Sequence, residues 1–123
     1  MFDIRPNQDW KPKLINGRRV LAELLPGHLK ALFGPQHGHA GEDQDNMIET
    51  PDDFDRTLGV PVRSLYAATR TPLPHMLEEV DAVIIDLQDV GTRVYTFAAT
   101  VLNCMKASSA SGKKVVILDR PNP

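Results

Sequence analysis

Two short, uninterrupted apolar segments constrain this chain more than any other feature. Residues 82–85 read Ala-Val-Ile-Ile and residues 115–118 read Val-Val-Ile-Leu, which is typical of strands covered on both faces of a parallel sheet. Between them, apolar residues recur every three or four positions until Ser111-Gly112, and this predicts an amphipathic helix of about four turns. Its apolar positions are Val94, Phe97, Ala98, Val101, Leu102 and Met105. A strand, a helix and a second strand in this order predict an α/β domain whose sheet is at least partly parallel.

Weaker patterns predict the remaining elements. A short helix follows Asn16 and ends at Pro26-Gly27, because proline and glycine break helices. Strands are predicted at residues 28–33 and 62–66, and a short helix that begins with proline at residues 74–79. Residues 1–13 are expected to form an extended arm, and residues 34–61 a long loop of the kind that is usually functional or disordered.

Length and composition limit the kinds of function that this chain can have. The chain has 123 residues, of which 41% are hydrophobic, so we expect a single domain with a buried core. The net charge of −2 provides no basic excess for binding nucleic acid. The single cysteine, Cys104, cannot form an internal disulfide, and on its helix it is expected to be buried and inert. The amino terminus lacks the pattern of a signal peptide, and no apolar run has the length of a membrane span, so the chain as given is expected to be cytoplasmic.

Polar residues follow each apolar strand at its carboxyl end. Ligands of open parallel sheets bind beyond those ends, so neighbouring strands would place these residues on one rim and form a small-molecule site. The residues are Gln36 and His37 after the first strand, Asp86, Gln88 and Asp89 after the central strand, and Asp119, Arg120 and Asn122 after the last strand. Turn chemistry also places Asp and Asn after strands, which is the alternative explanation.

No cofactor is predicted for this site. The glycine pattern of dinucleotide-binding folds and the phosphate loop with Gly-Lys-Ser or Gly-Lys-Thr are both missing from the sequence. The loop after the first strand carries His37, His39, Glu42 and Asp45, which are potential metal ligands. No third histidine is nearby, so a solvated acidic loop is favoured over a metal site.

Carboxylates are plentiful near the predicted rim, and pairs of carboxylates carry out glycoside hydrolysis. They are Glu42, Asp45 and Glu49 on the loop, and Asp86, Asp89 and Asp119 after the strands. Arg93 and Arg120 could bind the carboxylate of an acidic sugar, or could pair with Asp89 or Asp119. Tyr66 and Tyr95 offer a hydroxyl and a ring face to a sugar, although core packing would explain them equally well.

Five sequence blocks resemble one family. They are residues 32–38 (Leu-Phe-Gly-Pro-Gln-His-Gly), 44–47 (Gln-Asp-Asn-Met), 61–66 (Pro-Val-Arg-Ser-Leu-Tyr), 86–97 (Asp-Leu-Gln-Asp-Val-Gly-Thr-Arg-Val-Tyr-Thr-Phe) and 118–123 (Leu-Asp-Arg-Pro-Asn-Pro). The family was long catalogued as a domain of unknown function, and its characterised members are exo-β-N-acetylmuramidases of bacterial cell-wall recycling. The blocks occur in the family's order from about residue 29 to residue 123.

The resemblance implies a Rossmann-like amino-terminal domain that forms a cleft with a second, carboxyl-terminal domain. It also implies hydrolysis that releases terminal N-acetylmuramic acid from peptidoglycan fragments without a nucleotide. The catalytic side would then comprise Gln36, His37, Glu42, Asp45 and Tyr66. The sugar pocket would comprise Gln88, Asp89, Arg93, Tyr95, Asp119, Arg120 and Asn122.

The sequence departs from the family's pattern in three places. The family often has glutamate, its favoured catalytic acid, where this chain has Gln36, and an amide is not a carboxylic acid. Residues 17–20 resemble the start of the family's first strand, and Leu21 onward resembles the end of its following helix. Family chains continue beyond Pro123 into the second domain.

These departures predict a truncated Rossmann-like domain over residues 1–123, with an uncovered apolar sheet edge that favours self-association. A non-catalytic module that binds muropeptides or self-associates is therefore an alternative to the hydrolase. Metal-dependent hydrolysis through His37, His39 and Glu42 or Asp45 is a further alternative.

Overall fold

A computed structural model describes residues 2–3, 13–36, 49, 51–88, 91 and 96–119 of the chain. The strands are β1 (Phe2–Asp3), β2 (Lys13–Leu14), β3 (Leu32–Gly34), β4 (Asp53–Asp55), β5 (Val60–Ser64), β6 (Ala82–Ile85) and β7 (Lys114–Ile117). The helices are α1 (Gly17–Leu24), α2 (Phe97–Ala110) and one 3-10 turn at Pro74–Met76. The predicted α/β class is confirmed.

The crossover unit is the best-predicted part of the fold. β6 and β7 pair in parallel, with Val83 opposite Val115 and Ile85 opposite Ile117. α2 connects them and turns Cys104 and Ser108 inward, where both are buried. The helix ends as predicted at Ser111, and Gly112 follows with φ of +66°, a left-handed conformation that glycine adopts without a steric cost.

A second, three-stranded sheet has the order β3-β5-β4. β3 and β5 are parallel, whereas β4 and β5 are antiparallel. Both predicted strands of this sheet exist, although β3 is shorter than predicted and β5 begins at Val60. β1 pairs with β2 at the chain's amino-terminal end, and the rest of the predicted arm lies outside the described residues. The expected parallel sheet is therefore divided into short separate sheets within the part of the chain described.

The prediction of a long loop over residues 34–61 is wrong at its carboxyl-terminal end, where β4 forms. Asp55 closes the turn between β4 and β5, since its Oδ1 accepts hydrogen bonds from the backbone N–H groups of Thr57 at 2.9 Å and Leu58 at 3.1 Å. The Gly59 N–H also donates to the Asp55 carbonyl oxygen at 2.7 Å. β4 reads Asp-Phe-Asp, so it lacks a long apolar pattern, and pairing with β5 makes it a strand.

The resemblance of residues 17–20 to the start of a strand is also not realised, because Gly17–Leu24 is one continuous helix. The Asn16 side chain caps this helix by accepting a hydrogen bond from the Arg18 N–H at 3.1 Å. Arg18 Nη1 lies 3.0 Å from Asp55 Oδ2. This ion pair joins α1 to the end of β4, so the helical conformation has both a local cap and a tertiary contact.

Two apolar clusters form the core. The central cluster consists of Leu65, Leu77, Val83, Ile85 and Cys104. The outer cluster consists of Leu32, Val60 and Val62, within the three-stranded sheet. Phe33 of β3 packs against the central cluster, so the cluster contacts side chains from both the β3-β5-β4 sheet and the β6-β7 sheet. Since no strand pairing joins those two sheets among the described residues, this packing connects them.

Among the described residues, the β6-β7 sheet has one covered and one open face. α2 covers the face that carries Val83 and Val115. On the opposite face, Ala82 is exposed and Val116 retains 45% of its surface. No helix among the described residues is long and apolar enough to cross a membrane.

We predict that Leu77→Ala destabilises the chain by about 2–5 kcal/mol, the usual cost of truncating a fully buried leucine. Leu77 has 0% of its surface exposed and lies in the central cluster. Urea unfolding followed by circular dichroism measures the change. Leu73→Ala is the matched control, because Leu73 is 40% exposed, and a loss of stability as large as that of Leu77→Ala would contradict the central role of Leu77.

Candidate functional site

The parallel pairing of β3 and β5 places two predicted catalytic residues at one edge. Gly34 lies opposite Ser64 in the register, and the Leu65 N–H donates to the Gly34 carbonyl oxygen at 2.8 Å. Gln36 and Tyr66 each follow this pair by two residues. Because parallel strands end at the same edge of a sheet, both residues leave the sheet on the same side.

A hydrogen bond brings the start of α2 to this edge. The Thr96 hydroxyl donates to Gln36 Oε1 at 2.7 Å, across 60 residues of sequence. Thr96 is the residue immediately before α2, and α2 itself follows β6. The end of the β3-β5 pair and the start of α2 therefore meet at Gln36. The bond uses the carbonyl oxygen of the Gln36 side chain, and no described residue accepts a hydrogen bond from its amide nitrogen.

Tyr66 stacks on an arginine that sequence reasoning missed. The Arg70 guanidinium carbon lies 3.7 Å from the centroid of the Tyr66 ring, within the range of a cation–π interaction. Arg70 Nη1 also donates to the Ala67 carbonyl oxygen at 3.1 Å. The only signal in the sequence was the four-residue spacing of Tyr66 and Arg70. Because the two residues lie outside the described helices, that spacing did not predict a contact, and only the folded loop reveals it.

Asp52 holds the end of β5 in place. Its Oδ1 accepts a hydrogen bond from the Ser64 N–H at 2.7 Å, and its Oδ2 accepts one from Arg63 Nη1 at 3.1 Å. The Ser64 hydrogen bond is the main reason that the pKa of Asp52 is below its ordinary value. Burial partly opposes it and Arg63 adds to it. Ser64 Oγ in turn accepts from the Tyr66 N–H at 3.0 Å, so Asp52 is connected to Tyr66 through one residue.

The ends of β6 and β7 carry three of the other predicted site residues. Asp86 and Gln88 are half-buried, whereas Asp119 is exposed. The Leu118 N–H donates to the Ile85 carbonyl oxygen at 2.9 Å and extends the pairing to the rim. A methyl group at Gly17 would overlap a carboxylate oxygen of Asp86. Glycine at this position therefore allows the first turn of α1 to approach the rim.

The remaining predicted residues lie outside the described part of the chain. They are His37, Glu42, Asp45, Asp89, Arg93, Tyr95, Arg120 and Asn122, and their roles remain predictions. His39, the other proposed metal ligand, is also outside it. Within the described ranges, no group of three or more His, Cys, Asp or Glu side chains is arranged to hold a metal ion.

The structure confirms that Cys104 is buried. Burial raises the pKa of its thiol to about 11, so only about one molecule in a thousand carries the thiolate at pH 8. Cys104 fills space in the central cluster and is not a nucleophile.

Comparison with known proteins matches this α/β arrangement to the amino-terminal part of a class of cell-wall hydrolases. Residues 10–123 match the family described as exo-β-N-acetylmuramidase NamZ, N-terminal. The chain is 47% identical over 104 residues to the peptidoglycan β-N-acetylmuramidase NamZ of Bacillus subtilis, an alignment that covers 85% of this chain and 25% of that protein. It is also similar to the crystal structure of a DUF1343 family protein from Bacteroides fragilis, with a TM-score of 0.74, 38% identity, and coverage of 89% of this chain and 26% of that one.

The chain therefore belongs to the NamZ amino-terminal family, and the resemblance drawn from the five sequence blocks is confirmed. It spans about a quarter of the length of the relatives that it matches.

We predict that Asp52→Asn makes the chain less sensitive to acid. A carboxyl whose pKa is lower in the folded than in the unfolded state stabilises the fold above the unfolded pKa, and this stabilisation is lost as the pH falls through the folded pKa. The difference in urea midpoint between the wild type and Asp52→Asn should therefore shrink as the pH falls below about 4.

Arg63→Gln is the control for this prediction. It removes the ion pair at 3.1 Å but leaves the Ser64 hydrogen bond, so it should retain most of the pH dependence. If Arg63→Gln abolished the dependence completely, the Ser64 hydrogen bond would not be its main cause.

Proposed function

We propose that this chain forms the sugar-binding edge of a glycoside hydrolase that releases terminal N-acetylmuramic acid from peptidoglycan fragments. The observation that carries the proposal is the Thr96–Gln36 hydrogen bond of 2.7 Å. It joins the polar residue that follows β3 to the residue that precedes α2. The identity of 47% to a protein named as a peptidoglycan β-N-acetylmuramidase supports the substrate class.

Gln36 acts in this proposal by binding sugar. Its side-chain carbonyl accepts from Thr96, so the orientation of the amide is set and its nitrogen can donate to a sugar hydroxyl or to the acetamido oxygen. Tyr66, which leaves the sheet at the same edge, offers its hydroxyl to the same ring.

Proton donation is the step that Gln36 does not perform. Protonating the leaving oxygen of a glycoside requires a carboxylic acid with a raised pKa, and an amide has no such proton. Glu42 and Asp45 are the proposed acids, since they follow Gln36 closely in the sequence. His37 is proposed to assist on the catalytic side.

The rim after β6 and β7 is proposed to shape the sugar pocket. Gln88 and Asp119 are its described members, and both could form hydrogen bonds with hydroxyl groups of the sugar. The proposed pocket also includes Asp89, Arg93, Tyr95, Arg120 and Asn122.

We predict that Gln36→Glu accelerates release of N-acetylmuramic acid. Glutamate would place a carboxyl where the amide now lies, as a proton donor in addition to the acid proposed at Glu42 or Asp45, and general acid catalysis contributes at most roughly 10²–10⁴-fold to a rate. A proton NMR time course with a disaccharide that ends in N-acetylmuramic acid measures both binding, from shifts of the Gln36 side-chain amide, and release of the free sugar.

Gln36→Met is the control, because it keeps the length of the side chain and removes both polar atoms. It should weaken binding without any gain in release. Undisturbed signals of Gln36 and Tyr66 at saturating disaccharide would refute the proposed site, and equal release by the wild type and Gln36→Glu would refute the role of a carboxyl at this position.

A second candidate function, a module that self-associates, is favoured by the open face of the β6-β7 sheet. Val116 is 45% exposed at the centre of β7 on this face, although parallel sheets are usually covered on both faces. In the described part of the chain, β7 pairs with β6 along one edge and with no strand along its other edge. A second copy that packs on this face would cover Val116.

We predict that Val116→Lys lowers self-association. Sedimentation velocity over a range of concentrations should show a weaker concentration dependence than in the wild type, because a charged group at a dimer contact must be desolvated. Leu24→Lys is the matched control, since Leu24 is 71% exposed on α1. A purely monomeric wild type, or an equal effect of both substitutions, would exclude this face as the contact.

A further inference from the structure

We propose that Arg70 is the specificity-determining residue that recognises a carboxylate of the bound peptidoglycan fragment. The inference rests on the function proposed above, and it adds a residue that neither the motifs nor the rim contains. The inference follows from the contacts of the guanidinium group, from the hydrogen bonds that hold its loop, and from the contact of that loop with α2.

The guanidinium of Arg70 is positioned but lacks a counterion among the described residues. Arg18 and Arg63 lie 3.0 Å and 3.1 Å from the carboxylates of Asp55 and Asp52. Arg70 instead contacts the Tyr66 ring and the Ala67 carbonyl oxygen, and it is exposed. Since a guanidinium has five N–H donors, most of them remain for a ligand, and their planar geometry suits a carboxylate.

Hydrogen bonds hold the loop that carries Arg70. Asn103 Nδ2 of α2 donates to the Arg70 carbonyl oxygen at 3.0 Å. The Thr69 hydroxyl donates to the Thr71 carbonyl oxygen at 2.7 Å and accepts from the Thr71 N–H at 3.1 Å. Tyr66, the other half of the stack, is bonded to Ser64 at the end of β5. A ligand therefore meets a cation whose position is already set, which lowers the entropic cost of binding.

Helix geometry sets the distance between the contact that Thr96 makes with Gln36 and the contact that α2 makes with the Arg70 backbone. Thr96, which donates to Gln36, and Asn103, which donates to the Arg70 backbone, are seven residues apart. Seven residues are two helical turns, so both lie on one face of α2 with an axial separation of about 10 Å. A sugar substituent that extends from Gln36 along α2 therefore approaches the loop that carries Arg70.

A carboxylate on such a substituent is the chemistry that this arrangement selects. In peptidoglycan fragments it can come from two sources, the lactyl ether of free N-acetylmuramic acid or a peptide attached to that lactyl group. N-acetylglucosamine has neither and is the matched neutral ligand. Both acidic sources present the same group to Arg70, so the experiment compares them directly.

Arg70→Gln tests the proposal through the ratio of dissociation constants. Calorimetric or NMR titrations would use N-acetylglucosamine, N-acetylmuramic acid, and N-acetylmuramic acid that carries the dipeptide L-Ala-D-Glu. We expect Arg70→Gln to weaken binding of at least one acidic ligand by about tenfold or more, as for loss of a charge-assisted hydrogen-bond pair, and to change N-acetylglucosamine binding less than twofold. The acidic ligand that loses more identifies the source of the carboxylate.

Arg70→Lys distinguishes recognition from a structural role. It keeps the charge but not the planar pair of donors, so it should recover part of the preference for the acidic ligand. An equal loss for acidic and neutral sugars in both variants would mean that Arg70 only supports the loop, and this result would overturn the proposal.

A titration of the wild type with D-lactate alone separates this proposal from the proposed function. Saturable shifts of the Arg70 Nε–H signal would support carboxylate recognition. If no sugar binds to the same protein, the proposed function is wrong while carboxylate recognition by Arg70 stands. If Arg70→Gln binds sugar and prefers the acidic ligands over N-acetylglucosamine as strongly as the wild type does, the role of Arg70 is overturned and the proposed function stands. An Arg70 signal that responds neither to D-lactate nor to any acidic sugar would likewise overturn it.

Discussion

Apolar packing around Leu77 connects the two larger sheets of this chain. Leu65 follows β5 and Val83 lies in β6, and these side chains meet in the central cluster although no strand pairing joins their sheets among the described residues. The packing is dense enough to leave Leu77 with no exposed surface. The cluster holds the two sheets together. Because dispersion and apolar burial have no preferred direction, the orientation of the side chains at the rim depends on hydrogen bonds.

The Thr96–Gln36 hydrogen bond is the clearest of these orienting contacts. It joins residues separated by 60 positions and lies where the ends of β3 and β5 meet the start of α2. Asp52 acts on the same edge from the other side, since it bonds the Ser64 N–H, and Ser64 bonds Tyr66. The candidate site is thus held by a connected series of polar contacts around the apolar core, and its residues come from three distant parts of the chain.

The success of sequence reasoning differed between elements for physical reasons. β6, α2 and β7 were predictable because their apolar residues are frequent and regularly spaced, and Gly112 marks the end of the helix. β4 was not predictable, since Asp-Phe-Asp has no strand pattern of its own and becomes a strand by pairing with β5. The apolar pattern after Asn16 correctly predicted the helix at Gly17–Leu24, which the Asn16 cap and the Arg18–Asp55 ion pair support, whereas the resemblance of residues 17–20 to the start of a strand was wrong. The sequence predicted Gln36 and Tyr66 as candidate site residues, whereas it did not reveal the contact between Arg70 and the Tyr66 ring.

The amino-acid sequence by itself determined the family, the α/β class and the chemical identity of each candidate group at the rim, including the amide of Gln36. These properties depend on residue type and local spacing, which are read directly from the chain. The tertiary structure alone decided that Thr96 bonds to Gln36, that Arg70 stacks on Tyr66, and that Val116 of β7 keeps 45% of its surface exposed. Such contacts depend on how the sheets pack and on how α2 lies across their ends, and no local pattern encodes that geometry.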